Sequence, residues 1–230
     1  MALGLCFGLA APLISLMITR TEAQADINEP FGFRTAAVTE GPLWVTWQKL
    51  QLQFQAENKI IAQCRAAPES CHSQAALRFI EMARQGNGSD TVVRIKHINR
   101  AINLTIRAPS INAYNATWNS PLTTLVAGTG DCKQYAVLKY AVLQDAGFAP
   151  DDVRIVIVRI KQQQTDHALV AVRDKDDWLF LDNRSLAVIE DREFLERYLP
   201  LFSLDHRGVS RFILPSSAAG RVLPCSERTG

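Results

Sequence analysis

The stretch "GTGDCKQYAVLKYAVLQDAGF", residues 128–148, decides the fold. Within it Val137, Tyr140 and Ala141 recur at the i, i+3, i+4 spacing of a helix, and Leu138, Val142 and Leu143 widen the apolar surface until the segment reads as buried. Gly147 supplies the stop. At the other end Gly128-Thr129-Gly130 forms a small polar loop that delivers Asp131 as an N-cap. Cys132 therefore falls in the first helical turn, where backbone N–H groups lack intrahelical partners.

After this helix the hydrophobic period changes. "VRIVIVRI" (153–160), "HALVAVR" (167–173) and "WLFLDN" (178–183) are short, β-branched or alternating runs separated by "KQQQTD" and "DKDD", the pattern of consecutive antiparallel strands. Before it the helical period prevails. Apolar residues recur at helical spacing over 43–62, and again over 73–85 until Gly86-Asn87-Gly88 ends the pattern. A third helix is predicted from Asp90, as N-cap, through "TVVRIKHINRAINL" (91–104). The segment 108–130, rich in Asn, Ser, Thr and Pro, reads as irregular. The expected class is α+β, with helices preceding an antiparallel sheet.

At 230 residues and 47% hydrophobic, the chain supports one sizeable core and does not demand two. Its formal charge of +2 is spread without a basic block or an aromatic-interleaved basic stripe, which argues against nucleic acid as a partner. "GTGDCK" lacks the spacing of a phosphate loop. An apolar run from Ala2 to Ile18 followed by Ala23-Gln24-Ala25, a small-x-small site, reads as an export signal over residues 1–25. A membrane anchor is the rival reading, because the run is almost long enough to span and lacks a basic start. Nothing from Asp26 onward has the apolar length to cross a bilayer. The organisation expected is a signal at 1–25, a single domain at 26–215 and a flexible tail at 216–230, in a periplasmic or secreted protein.

Export changes how the cysteines read. Cys6 leaves with the signal, and Cys64, Cys71, Cys132 and Cys225 remain. "CRAAPESC" holds the natural pair: Pro68 breaks the chain between two helical patterns, and a Cys64–Cys71 disulfide staples that corner. A metal site is the rival for the pair, but no second pair with ligand spacing and no adjacent histidine cluster accompanies it. Cys132 then stays free, and Cys225 in the tail has no assigned partner.

Three polar residues fall at element ends. Cys132 starts the central helix, His167 opens the second strand and Asp182 closes the third. A thiol attacks a carbonyl as its thiolate, and a helix N-terminus and a nearby imidazolium both lower its pKa. A carboxylate on the next strand holds the histidine in one tautomer. Lys133 favours the anion too if it turns toward the sulfur. Taken singly, each residue has a plain alternative: a small core thiol, a surface histidine and a turn aspartate. The other histidines are placed less well, His72 beside the expected disulfide, His97 within a helix and His206 in a polar loop.

"WNSPLTTLVAGTGDCKQYAVLKYAVLQDAGF", followed by "HALVAVR" and "LFLDN", resembles the bacterial transglutaminase-like cysteine peptidases, whose periplasmic members include the LapG-type adhesin-releasing proteases. The resemblance runs from about the Cys64/Cys71 pair to Asn183 and rests on the order Trp-x-x-Pro, Gly-Asp-Cys, His and Leu-Asp-Asn. It implies a papain/transglutaminase-like core with Cys132 as nucleophile, His167 as base and Asp182 as orienter. It also places Trp118 and Asp131 at the substrate cleft, with Trp118 shaping the oxyanion site beside the Cys132 amide. The partners it implies are a protein substrate, adhesin-like at the family level, and a membrane-bound regulator. One departure stands out. The LapG-type pattern flanks the cysteine with acids, Gly-Asp-Cys-Glu-Asp, and binds calcium there; here Lys133 and Gln134 follow Cys132. Calcium takes about six to eight oxygen ligands, several of them charged, and a rim ammonium opposes it, so no metal or other cofactor is expected. The leading function is a thiol endopeptidase. The alternatives are a transamidase using the same acyl-enzyme and a binding module without turnover.

Overall fold

The computed structural model describes residues 29–85, 87–88, 90–109 and 117–214. The expected signal, the tail and Cys225 lie outside the described residues. In chain order the elements are β1 (Arg34–Val38), α1 (Pro42–Ala66), α2 (Gln74–Arg84), α3 (Thr91–Thr105), α4 (Pro121–Ala127) and α5 (Cys132–Asp145). They continue with β2 (Val153–Ile160), β3 (Thr165–Asp174), β4 (Asp177–Leu181), β5 (Ile189–Glu190), α6 (Asp191–Arg197), β6 (Tyr198–Asp205) and β7 (Gly208–Ile213).

Local chemistry sets the helix starts. Ser73 and Asp90 act as N-caps of α2 and α3, accepting from Ala76 N–H at 3.2 Å and Val93 N–H at 2.9 Å. Segment 108–130 is not irregular throughout, because α4 occupies its middle. Pro121 stands in the first turn, Gly128 closes the helix at φ +64°, and the Glu57 carboxylate of α1 accepts Leu122 N–H at 3.0 Å and the Ser120 hydroxyl. A helix this short shows no readable period, and the Glu57 cap comes from a distant part of the chain.

The sheet has seven antiparallel strands in the order β1-β7-β6-β2-β3-β4-β5. The three expected runs are β2, β3 and β4, neighbours as expected, with Val153 opposite Val172 and Val170 opposite Leu181. Both faces are covered. Val153, Ile155, Val170, Val172, Leu179 and Leu181 pack into the core shared with the helices. Val156, Val158, Leu169, Ala171 and Phe180 pack on the opposite face, where Phe31 and Phe194 stack on Phe180 with ring centroids 4.9 and 4.3 Å away. Strands buried on both faces lose strict alternation, which is why "VRIVIVRI" reads as a nearly continuous apolar run.

The other four strands were not expected. Pro200 interrupts β6, and prolines are normally excluded from interior strands. Here Pro200 sits opposite Val158 of β2 at a register shift, while β7 pairs only with Phe202–Asp205, so the side of Pro200 away from β2 needs no ladder donor. β1 precedes the helices yet pairs with β7, the last strand, so the order is not strictly helices then sheet.

The Cys64–Cys71 disulfide is present, with Cα atoms 4.8 Å apart, and ties the end of α1 to the approach to α2. Chain-entropy arguments give such a short loop about 2–3 kcal/mol. We expect Cys64→Ser/Cys71→Ser to lower the unfolding free energy by about that amount in urea titrations. Dithiothreitol should bring the wild type to the variant's midpoint and leave the variant unmoved.

Candidate active site

α5 packs across β3 and β2, which brings its first turn to the start of β3. That turn is tightly built. Asp131 is buried, its Oδ1 accepts Lys133 N–H at 2.9 Å, its carboxylate also takes the Gln134 N–H, and Gln134 Oε1 accepts Asp131 N–H at 2.9 Å, closing a capping box. With these amides committed, the Cys132 N–H is the donor left at the helix start. Gln134 Nε2 also donates to the Thr117 carbonyl at 2.6 Å, which holds the segment carrying Trp118.

Cys132, His167 and Asp182 come together. His167 is 7% exposed and lies on β3 opposite Val158, and its Nε2 donates to Asp182 Oδ1 at 3.0 Å. Nδ1 is left for the sulfur, and the thiol and imidazole are hydrogen-bonded. Burial raises the Cys132 pKa, but the hydrogen bond and charge of His167 and the Ala168 N–H more than offset it, leaving the thiol below its ordinary value. Burial lowers the His167 pKa, and its bonds and charge interactions with Asp182 and Cys132 reverse this, so it ends raised. The two shifts favour a thiolate–imidazolium pair.

Asp182 directly follows β4 and is 3% exposed. Burial works against its ionisation, yet the hydrogen bonds from His167 and Arg184 hold its carboxyl well below the usual carboxylate range. Arg184 contributes its backbone N–H at 2.9 Å and its Nη2 at 3.0 Å, and the Tyr198 hydroxyl of β6 donates at 3.3 Å. From α3, Asn103 Nδ2 donates to the Asp182 carbonyl at 2.9 Å, and Asn99 Nδ2 to the Ser185 carbonyl at 3.1 Å.

The thiol opens on a cleft of about 320 Å³ walled by Leu43, Trp118, Ile157 and Phe202, with Lys133 and Asp166 among its polar lining. Trp118 lines this cleft. Asp131 serves the helix cap, and its Oδ2 meets Lys133 Nζ at 2.5 Å. Lys133 thus turns its ammonium to this carboxylate. His72 and His97 are exposed away from the site, and His206 lies in the β6–β7 turn, 3.8 Å from Asp151.

The profile of the bacterial transglutaminase-like cysteine proteinases (BTLCP) matches residues 56–207. The chain belongs to this family. Among solved structures, this proteinase resembles calcium-bound LapG of Legionella pneumophila at TM-score 0.55 and 18% identity, over 66% of this chain and 87% of that one. The EGTA-treated form of that protein matches at TM-score 0.55 and 19% identity, over 67% of this chain and 84% of that one. At this identity the likeness speaks for the shared fold, helices packed on an antiparallel sheet. No curated protein matches the chain.

Sequence reasoning missed Arg184, Tyr198 and Gln134. Arg184 had a local signal, since an arginine two residues beyond a turn aspartate can fold back on it. Gln134 stands three residues after the cap, the position of a capping-box partner. Tyr198 had none: β2 and β3 separate β6 from β4 in the sheet, and only the Tyr198 ring, lying between His167 and Phe194, reaches Asp182.

The paired shifts set a pH window for the proteinase: the ion pair is lost by thiolate protonation on the acid side and by imidazolium deprotonation on the alkaline side. Thiolate absorbance of Cys132 should appear below the ~8.5 of a free cysteine. In His167→Ala it should move up by about one unit or more. A Cys132 titration indifferent to His167 would contradict the pairing.

Proposed function

We propose that this chain is an exported cysteine endopeptidase that cleaves a protein substrate of the cell envelope through Cys132, His167 and Asp182. The observation carrying the reading is a thiol at a helix N-terminus, hydrogen-bonded to a histidine whose far nitrogen meets a buried carboxylate at 3.0 Å. Family membership supports peptidase chemistry. Export is supported by the apolar run at 2–18 with its Ala23-Gln24-Ala25 site, and by a disulfide suited to an oxidising compartment.

In this mechanism the thiolate attacks a peptide carbonyl, a C–S bond forms, and the carbonyl electron pair moves to oxygen opposite the Cys132 N–H. The tetrahedral adduct collapses as His167 gives its Nδ1 proton to the leaving amine and the C–N bond breaks. Water, deprotonated by His167, then hydrolyses the thioester and restores the thiol. Asp182 keeps the imidazole oriented and stabilises its charge throughout.

Calcium does not fit this site. The carboxylate beside the nucleophile already accepts two backbone amides and an ammonium, and Lys133 and Gln134 bring no anionic oxygen. The relative named above exists in calcium-bound and EGTA-treated forms, whereas we expect this chain to act without calcium.

The test is a digest of envelope proteins by the mature enzyme, read by terminal-peptide mass spectrometry. We expect discrete cleavages that Cys132→Ala abolishes and that EGTA leaves unchanged. Products carrying an added primary amine at the new carboxyl terminus would make the enzyme a transamidase. Tight, stoichiometric calcium binding in calorimetry, with calcium-dependent cleavage, would overturn calcium independence.

A further inference from the structure

Lys139 is a buried amine that the mechanism above leaves unused. It stands on α5 seven residues after Cys132, about two turns along the same helix, and is 0% exposed. Its Nζ donates to the Leu181 carbonyl at 3.4 Å and lies 6.0 Å from the Tyr135 ring centroid. A buried ammonium is costly unless paired, and a methionine would fill such a space without that cost. The acceptor is informative, because Leu181 ends β4 and the next residue is Asp182.

The ionisable surroundings single out one partner. On α2, Arg78, Glu81 and Arg84 are exposed; on α3, Lys96, His97 and Arg100 are exposed and Arg94 lies over the Phe148 ring; α4 has no ionisable residue. Arg154 of β2 pairs with Glu29 and Asp205, and Lys133 of α5 with Asp131. His167 of β3, Arg184 and Tyr198 of β6 all bond to the Asp182 carboxylate, and it is Asp182 whose charge acts on Lys139.

We propose that Lys139 is a positioning residue of the proteinase site: its amine holds the Leu181 carbonyl at the turn that aims Asp182 at His167. This rests on the reading of Cys132, His167 and Asp182 as the catalytic group. Burial draws Lys139 down to about 7, with the Asp182 charge opposing only in part. Charged or neutral, the amine keeps an N–H to donate to that carbonyl. Losing the donor loosens the turn that holds Asp182 against His167, and the imidazolium then gives up its proton at lower pH.

The experiment measures the rate of Cys132 alkylation by iodoacetamide, with thiolate absorbance, across pH for the mature wild type, Lys139→Met and Lys139→Arg. We expect the alkaline limb of Lys139→Met, which has no donor for the Leu181 carbonyl, to lie about half a pH unit or more below wild type, and that of Lys139→Arg, which keeps donors, to stay close to wild type. Limbs unmoved by either variant would overturn the role and leave Lys139 as filling.

Should arginine prevent folding, the Lys139→Met alkaline limb decides, together with stability. A lysine whose pKa is lowered on folding carries a stability penalty that is full below about 7 and vanishes toward the unfolded value of about 10.4. The stability gap between Lys139→Met and wild type should therefore shift in the variant's favour as pH falls through that range, and a gap independent of pH would count against a buried, titrating amine. Alkylation insensitive to His167→Ala would sink the catalytic reading itself, whereas intact His167 dependence with unmoved limbs would sink only the role of Lys139.

Discussion

Asp131 and Gln134 close the start of α5 reciprocally, each accepting the other's backbone N–H, and this buried capping box orders everything around the thiol. It takes up the Lys133 and Gln134 amides, sets Cys132 in the cleft wall, and through Gln134 holds the Thr117 carbonyl beside Trp118. Unmade hydrogen bonds at a buried helix end cost about 1–3 kcal/mol each, so the loop before α5 has little freedom. The same carboxylate takes the Lys133 ammonium, so the cap also sets the charge at the cleft rim.

Asp182 is the second point of convergence. Its carboxylate receives donors from His167 on β3, Arg184 in the following turn and Tyr198 on β6, while α3 fixes the backbone of the same turn through Asn103. Several strong donors on one buried carboxylate keep it ionised and fix its direction, which is what an orienter of histidine requires. α5 reaches the same turn from the other side through Lys139 and the Leu181 carbonyl. Helix and sheet therefore meet at the turn after β4 as well as at the nucleophile.

Much of the site was legible along the chain. The cap and the thiol one residue later follow from local rules of helix initiation; strand alternation put His167 and Asp182 near strand ends, although β3 begins two residues before His167, at Thr165, inside the run read as a connection. The disulfide was legible for a similar reason, since a proline-broken corner between two helical patterns brings both cysteines within bridging distance. β1, β6 and β7 were not, because β1 gains its partner only when β7 returns to it, and Pro200 is tolerated only where β7 has ended. The two-turn α4 escaped because its cap is supplied by Glu57 of α1.

The sequence by itself determined where the candidate site residues fall: a capped thiol, a histidine near the start of a strand and an aspartate directly after one depend on spacing within single elements. The tertiary structure alone decided how that chemistry is tuned. The burial that raises the Cys132 pKa, the His167 contacts that more than reverse it, and the donors from α3 and β6 around Asp182 arise between elements far apart in the chain. So does the burial of Lys139, since a helix position acquires a low-dielectric surrounding only when α5 is covered by α3 and the sheet. Periodicity encodes which face of an element is apolar, whereas desolvation and charge coupling depend on what covers that face.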